Sequence, residues 1–244
     1  MQLKTNNIGK TFSGVNVLRN VDFDLKPGEV HALVGENGAG KSTFVKILSG
    51  VYTPTEGNIF LDEKNVEITS PIVAQKNGVA LIHQEPQSFS HLSVAENIFM
   101  GHMDGSNFSR VKWQDINSKS NEILNSIGLK IDPKIIMEGL SIADQQMIEI
   151  AGALSKNSKV LIMDEPTSPL TPNEVGKLFE IVNKLKSNGM AIIFISHRLE
   201  EIRQISDRVT IFRDGDLITT KNINDVSNEE IIKFMIGRNI EETE

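Results

Sequence analysis

Nine consecutive residues have the composition of a loop that binds phosphate groups. They are Gly35, Glu36, Asn37, Gly38, Ala39, Gly40, Lys41, Ser42 and Thr43. The three glycines let the backbone turn its N–H groups toward phosphate oxygens, and a helix starting at Lys41 would add a positive N-terminal dipole. A lysine followed by a hydroxyl can contact the β- and γ-phosphates of a nucleotide and ligate Mg²⁺. The alternative is a glycine turn that arose by chance.

The residues on either side of this loop predict a strand before it and a helix after it. Residues 30–34 form a mainly apolar run, and the apolar residues of 44–48 recur at helical spacing. A phosphate-binding loop needs this strand–loop–helix context, whereas a chance turn does not. We therefore expect residues 35–43 to bind the phosphates of a nucleotide.

Two carboxylates follow another apolar run, at residues 160–163. Asp164 and Glu165 would then lie at the carboxyl end of a buried strand, where ligands bind in sheets of this kind. Asp164 is the candidate that holds Mg²⁺ through a water molecule, and Glu165 is the candidate that polarises an attacking water. The alternative is that two acidic residues simply end a strand at the surface.

Two more polar side chains stand at predicted strand ends, and one aromatic residue stands near a predicted strand edge. His197 follows the apolar run 191–195 and could donate to a γ-phosphate, while Gln84 follows the run 78–83 and could reach Mg²⁺ through its amide. Phe12 could stack on adenine. The alternatives are a structural histidine, an ordinary turn residue and a core phenylalanine.

The periodicity of the chain predicts an α/β fold with a mostly parallel sheet flanked by helices. Strands are predicted at 2–8, 16–25, 58–61, 78–83, 159–163, 191–195, 208–212 and 217–219, and helices at 112–127, 175–186 and 199–205. The first 60 residues predict a small antiparallel sheet beside the nucleotide loop. Capping-box patterns at Ser93–Glu96 and Ser141–Asp144 predict helix starts within a helical lobe at 87–155.

Composition excludes several classes of function. The chain has 244 residues, 39% hydrophobic content and a net charge of −7, without a basic run, which argues against a nucleic-acid partner. It has no cysteine, so disulfides and thiolate metal sites are excluded. No uncharged apolar stretch approaches the roughly 20 residues that a membrane-spanning helix needs.

Taken together, these motifs resemble the nucleotide-binding domain of ATP-binding cassette (ABC) transporters over essentially the whole chain. They are residues 35–43, Gln84, Leu140-Ser141 with Gln145-Gln146, residues 160–167 and His197. Residues 70–71, 82–85, 92–101, 140–146 and 194–201 look more particularly like the first half of the fused, two-cassette ATPases of carbohydrate importers. That family includes importers of ribose, galactose, xylose and autoinducer-type solutes.

The resemblance implies one P-loop cassette domain over residues 1–244. Residues 1–86 and 156–244 would form the catalytic core with the antiparallel β subdomain, and residues 87–155 the helical lobe. Such a cassette pairs head to tail with a second cassette and binds two ATP molecules between the halves. The carried-over roles are adenine stacking by Phe12, phosphate binding by residues 35–43, Mg²⁺ binding by Ser42, Gln84 and Asp164, and catalysis by Gln84, Glu165 and His197.

The resemblance also implies partners and a location. Residues 85–101 would border the groove that receives the membrane permease, and a periplasmic or extracellular solute-binding protein would act indirectly. The protein would lie peripherally on the cytoplasmic face of the membrane. Its expected activity is ATP hydrolysis that powers import of a sugar or related solute.

The sequence departs from the family pattern at two places. The signature that contacts ATP in trans is usually Leu-Ser-Gly-Gly-Gln, but here Ser141 is followed by Ile142, Ala143 and Asp144. Both glycines are lost where the backbone approaches a γ-phosphate, and a negative charge is added. The loop after the two carboxylates lacks the usual aspartate and reads Pro-Leu-Thr at 169–171. Both changes predict that this is the first cassette of a longer chain whose second cassette supplies the intact signature.

Two other classes compete with this interpretation. A soluble, non-transport cassette protein acting on ribosomes or DNA would have a long charged linker or inserted coiled coils, and neither is visible. A phosphate-loop kinase or GTPase would not explain Gln84 and His197, and the GTPase N-K-x-D motif is absent.

Overall fold

The computed structural model describes residues 1–101 and 112–237, which contain ten strands and eight α-helices. The strands are β1 (Leu3–Phe12), β2 (Val15–Leu25), β3 (Val30–Val34), β4 (Glu56–Leu61), β5 (Lys64–Val66), β6 (Val79–Ile82), β7 (Val160–Asp164), β8 (Ala191–Ile195), β9 (Arg208–Arg213) and β10 (Asp216–Asn222). The helices are α1 (Lys41–Leu48), α2 (Pro71–Lys76), α3 (Val94–Phe99), α4 (Trp113–Ser126), α5 (Ile142–Ser155), α6 (Pro172–Ser187), α7 (Leu199–Ile205) and α8 (Asn228–Ile236).

All ten strands belong to one sheet in the order β5-β4-β1-β2-β10-β9-β3-β8-β7-β6. The five strands from β9 to β6 are parallel to one another. Every residue of β3 and β8 is buried, as expected of central strands that helices cover on both faces. The predicted α/β fold with a parallel central sheet is therefore confirmed.

The antiparallel part of the sheet consists of β5, β4, β1 and β2. It joins the parallel part through β10, which pairs with β2 in parallel between Asp216 and Arg19 and with β9 in antiparallel orientation. The Arg19 guanidinium donates to both carboxylate oxygens of Asp216, at 3.0 and 2.6 Å. The predicted antiparallel sheet therefore exists, and β10 connects it to the parallel strands.

Helices α3, α4 and α5 form the predicted helical region, and serine caps begin two of them. At α3 the reciprocal capping box between Ser93 and Glu96 is complete. At α5 the Ser141 hydroxyl accepts from the Asp144 N–H at 3.1 Å and donates to the Asp144 carboxylate at 2.9 Å. The returning bond to the Ser141 backbone N–H is missing, because aspartate is one methylene shorter than glutamate.

The helical region shares its core with the sheet. Ile98 of α3, Leu124 of α4 and Ile150 of α5 belong to the same buried cluster as Leu161 and Phe194 of the central strands. The division into a core and a lobe at 87–155 stays a prediction. Within residues 1–101 and 112–237, none of the helices is long and apolar enough to span a bilayer.

Candidate nucleotide site

The candidate phosphate-binding loop connects β3 to α1, as the sequence predicts. α1 begins at Lys41, and no side chain caps it at Gly40. The first N–H groups of a helix have no acceptor within the helix, so those of α1 are available to a ligand. The Phe44 N–H bonds the Gly40 carbonyl oxygen at 2.9 Å, so the helix is regular from its first turn. The loop therefore leads into a helix terminus whose N–H groups and positive dipole are suited to bind an anion.

Close backbone approaches explain two of the loop glycines. Gly35 has φ +156°, and a Cβ there would lie 2.4 Å from the carbonyl oxygen of Phe212. Gly40 has φ +104°, and a Cβ there would lie 2.6 Å from Leu18 Cδ2. A Cβ at Gly35 would overlap the backbone of β9, and the positive φ of Gly40 would strain any other residue type there.

The side-chain amine of Lys41 lies over this loop. Its Nζ donates to the carbonyl oxygens of Gly35 at 2.7 Å and Glu36 at 3.1 Å. Burial lowers the pKa of Lys41, while the negative charges of Glu165 and Asp164 act in the opposite direction. The amine is therefore held between the loop and the two carboxylates.

The strand register brings the predicted site residues to one edge of the sheet. Ile195 of β8 is opposite Leu33 of β3 on one side and Asp164 of β7 on the other, and Met163 is opposite Ile82 of β6. The loops after β3, β6, β7 and β8 therefore all begin at the carboxyl edge of the sheet, which is the usual ligand-binding edge in such folds.

Glu165 and His197 lie close together at this edge. His197 Nδ1 lies 3.5 Å from Glu165 Oε2. Glu165 has φ +49°, a left-handed conformation that is uncommon outside glycine. Its N–H donates to the Ile195 carbonyl oxygen at 3.0 Å and its carbonyl oxygen accepts from the Ser168 N–H at 3.2 Å. These bonds hold the backbone of Glu165 in the conformation that directs its carboxylate toward His197.

Asp164 is surrounded by charges of both signs. Its burial and the negative charge of Glu165 raise the pKa of Asp164, whereas Lys46, Lys41 and His83 act to lower that pKa. Lys46 and His83 are not among the site residues predicted from the sequence. Two signals could have found them, since His83 directly precedes Gln84 and Lys46 lies four residues after Ser42, on the same face of α1.

The available oxygen donors fit a Mg²⁺ ion. Ser42 and Gln84 are exposed at the loop ends, and Asp164 is half-buried at the end of β7. Hydroxyl, amide and carboxylate oxygens are the donors that this ion prefers, and it is usually held by one or two carboxylates together with substrate phosphates. Among the described residues, no three His, Cys, Asp or Glu side chains form a cage of their own.

Phe12 lies at the tip of the β1–β2 hairpin and is 37% exposed. Its ring contacts Tyr52 edge to face with a centroid distance of 5.1 Å, and Lys10 Nζ lies 4.9 Å from the ring centroid. β2 reaches the phosphate-binding loop at Val17, whose carbonyl oxygen would be 3.3 Å from a Cβ at Gly40. The partly exposed Phe12 ring therefore lies about two strand residues, roughly 7 Å, from this contact, toward the tip of the hairpin.

The family profile described as ABC transporter matches residues 18–168. The chain belongs to the ABC transporter family. The resemblance inferred from the motifs is thereby confirmed. An ATP-binding cassette of an ABC transporter, solved in its ADP conformation, superposes with a TM-score of 0.85 at 26% identity, covering 98% of this chain and all of that one.

Curated relatives of this ABC family member are named as sugar-import proteins. A ribose import ATP-binding protein of Clostridium tetani is 47% identical over 241 residues, which are 98% of this chain and 48% of the relative. A putative ribose/galactose/methyl galactoside import ATP-binding protein of Agrobacterium fabrum is 46% identical over 240 residues, 98% of this chain and 47% of the relative. The chain thus spans about half the length of the curated relatives it matches.

The candidate ABC signature lies at the beginning of α5. Ile142 is 49% exposed, whereas Ala143 is buried. Within the described part of the chain, no hydrogen bond or ion pair joins residues 141–144 to the phosphate-binding loop. The loop that lacks the family's aspartate has a local role instead, because Thr171 caps α6 through a capping box with Glu174.

A groove of about 340 Å³ in this ABC cassette is lined by residues of both the sheet and the helical region. Residues 87, 89, 97 and 100 line it, together with the end of α1, α2, β6 and α5. Phe89 is 55% exposed and Val51 is 45% exposed at this groove. One oxygen of Glu149 accepts from the Gln87 N–H at 3.1 Å, and the other is buried and has no hydrogen-bond partner among the described residues. Burial raises the pKa of Glu149 to about 7.

Proposed function

We propose that this chain binds Mg²⁺-ATP and hydrolyses it, as the ATP-binding part of a transporter that imports ribose, galactose or a related sugar. The observation that carries the proposal is the convergence of four strand ends on one edge of the sheet. There the Lys41 amine experiences the charges of Asp164 and Glu165, and Glu165 lies 3.5 Å from His197. The printed names of the curated relatives support the sugar substrate.

The residues at this edge divide the chemistry among them. The loop N–H groups and Lys41 bind the phosphates, while Phe12 stacks on the adenine ring. When bound, Mg²⁺ neutralises charge on the β- and γ-phosphate oxygens. Ser42, Gln84 and Asp164 hold this ion.

Glu165 and His197 act on the attacking water and the γ-phosphate. Glu165 accepts a hydrogen bond from the water and orients it toward the phosphorus. His197 donates to a γ-phosphate oxygen and keeps the Glu165 carboxylate in place. The left-handed backbone of Glu165 is part of this arrangement, since it directs the carboxylate toward His197.

The proposed assembly contains a second cassette and a membrane permease. Residues 1–244 would be the first cassette of a longer chain, because the altered signature at 141–144 is a poor partner for a second nucleotide. The permease would insert a segment into the groove bordered by residues 85–101, and a solute-binding protein would act on the other side of the membrane. The cassette would lie peripherally on the cytoplasmic face.

Turnover measured against chain concentration tests this function. We expect the isolated chain to bind Mg²⁺-ATP with turnover per chain that stays flat and near background. Turnover that climbs with concentration and vanishes in Glu165→Gln would show that two copies complete each other, which contradicts the proposed need for a second type of cassette. In a reconstituted transporter, ribose, galactose or xylose with its binding protein should stimulate turnover, and no response to any of them would contradict sugar import.

A further inference from the structure

Glu201 is a buried carboxylate in the first turn of α7. It is 7% exposed, and three donors surround it. The hydroxyls of Thr167 and Ser196 each donate to its Oε2 at 2.7 Å, and Arg198 Nη1 donates to its Oε1 at 3.1 Å. A buried charge with this many hydrogen bonds is stable, whereas loss of the carboxylate would leave two buried hydroxyls in need of partners.

The donors to Glu201 come from two different catalytic loops. Thr167 lies two residues after Glu165, in the loop that follows β7. Ser196 directly precedes His197, in the loop that follows β8. Both hydroxyls bond the same oxygen atom, so a displacement of either loop would strain the other through Glu201. The Ser196 hydroxyl also accepts from the Arg198 N–H at 3.1 Å, which fixes the turn that contains His197.

The positions of the two reactive side chains depend on the loops that this cluster joins. The His197 side chain is 63% exposed, and the Glu165 backbone has a left-handed conformation. Such a conformation persists only where neighbouring bonds hold it. The hydrogen bonds from Thr167 and Ser196 to Glu201 add to the two backbone bonds of Glu165 and join its loop to that of His197.

We propose that Glu201 is a positioning residue that sets the separation between the Glu165 carboxylate and the His197 imidazole. This inference rests on the proposed ATPase function and adds a residue that does not itself reach the nucleotide. Glu201 acts through two hydroxyls, of Thr167 and Ser196, and so couples two loops that are far apart in the sequence. Misplacement of a catalytic group by about 1 Å can cost about 100-fold in rate.

The test compares Glu201→Gln with Glu200→Gln, an exposed neighbour on the same helix. In the reconstituted two-cassette protein we expect Glu201→Gln to lower turnover about 10- to 100-fold with the Mg²⁺-ATP dissociation constant within twofold of wild type. His197→Ala should then have much less effect in the Glu201→Gln background than in the wild type. An unchanged turnover, or full additivity of the two substitutions, would overturn the proposal.

A second measurement does not depend on turnover. The chain has five histidines, so the ring resonance of His197 can be assigned by its loss in His197→Asn. We expect this resonance to move in Glu201→Gln and to stay in place in Glu200→Gln, with the other histidine resonances unchanged. Absence of ATP binding by the wild type would contradict the proposed function. An unmoved His197 resonance in Glu201→Gln would contradict the positioning role alone.

Discussion

His197 Nδ1 lies 3.5 Å from Glu165 Oε2, although the two residues follow different strands and are 32 positions apart (197 − 165). The separation is slightly longer than a hydrogen bond and leaves room for both groups to turn toward a ligand. Two loops converge here because β7 and β8 are neighbours in the sheet and end at the same level. At this distance, the carboxylate can orient a water molecule while the imidazole binds a phosphate oxygen.

Replacement of Glu165 by glutamine should separate binding from hydrolysis. Glutamine keeps the size of the side chain but cannot accept a proton, so we expect turnover to fall by about 100-fold or more with Mg²⁺-ATP binding retained. Turnover in the reconstituted two-cassette protein and equilibrium binding measure the two effects. Glu180→Gln, at an exposed position of α6, is the control. Equal turnover of Glu165→Gln and wild type would show that Glu165 is not a catalytic residue.

Loss of the Phe12 ring should weaken binding of the base. Stacking of a base on an aromatic ring contributes about 1–3 kcal/mol, so Phe12→Ala should raise the dissociation constant of ATP by about 5- to 100-fold. Affinity for inorganic tripolyphosphate should not change, because the phosphate-binding loop is intact. Phe12→Tyr keeps the ring and should bind ATP as the wild type does. If Phe12→Ala weakened both ligands equally, the ring would have a structural role.

Restoring the family signature should let two copies of this chain complete each other. The triple change Ile142→Gly, Ala143→Gly and Asp144→Gln removes a Cβ at two positions and a negative charge. We expect turnover per chain to rise with concentration in this variant, and glycines in α5 to cost about 1 kcal/mol each in stability. The same triple change combined with Glu165→Gln should be inactive. If turnover per chain of this variant did not change with concentration, the signature would not be what limits turnover of the isolated chain.

Glu149 should make stability depend on pH. Because its pKa is about 7 in the folded chain against an ordinary value of 4.5, the folded state holds a proton that the unfolded state releases between these values. Stability should therefore fall as pH rises through this window, by up to about 3 kcal/mol. Glu149→Gln should match wild type near pH 5 and be more stable than wild type near pH 8. Denaturant unfolding at both pH values measures the free energy of unfolding. If this free energy changed equally with pH in the two proteins, the prediction would be contradicted.

Local patterns predict the central strands and several helices well. The run 191–195 and the helix 199–205 have the predicted bounds, since an apolar run and an amphipathic turn determine each of them directly. β1 extends to Phe12, beyond the predicted end at residue 8, because register shifts interrupt its alternation. α6 begins at Pro172, three residues earlier than predicted, since the capping box of Thr171 and Glu174 starts the helix there.

Nonlocal contacts explain what the sequence does not predict. Motif spacing finds Lys41, Asp164 and Glu165, since each follows a strand whose end can be read locally. Glu201 and Glu149 belong to helices, and no local sequence pattern identifies them. Their roles depend on burial and on donors that come from other loops, so only the folded arrangement reveals them.

Equilibrium binding of Mg²⁺-ATP to the full chain and to Lys41→Ala tests the central claim most directly. The account predicts saturable binding by the wild type that Lys41→Ala weakens at least about 10-fold, because a charged amine over the phosphates is lost. Lys64→Ala, at an exposed position of β5, the terminal strand of the sheet, should bind as the wild type does. Binding that is absent in the wild type, or equal in wild type and Lys41→Ala, would contradict the assignment of residues 35–43 as the phosphate-binding loop.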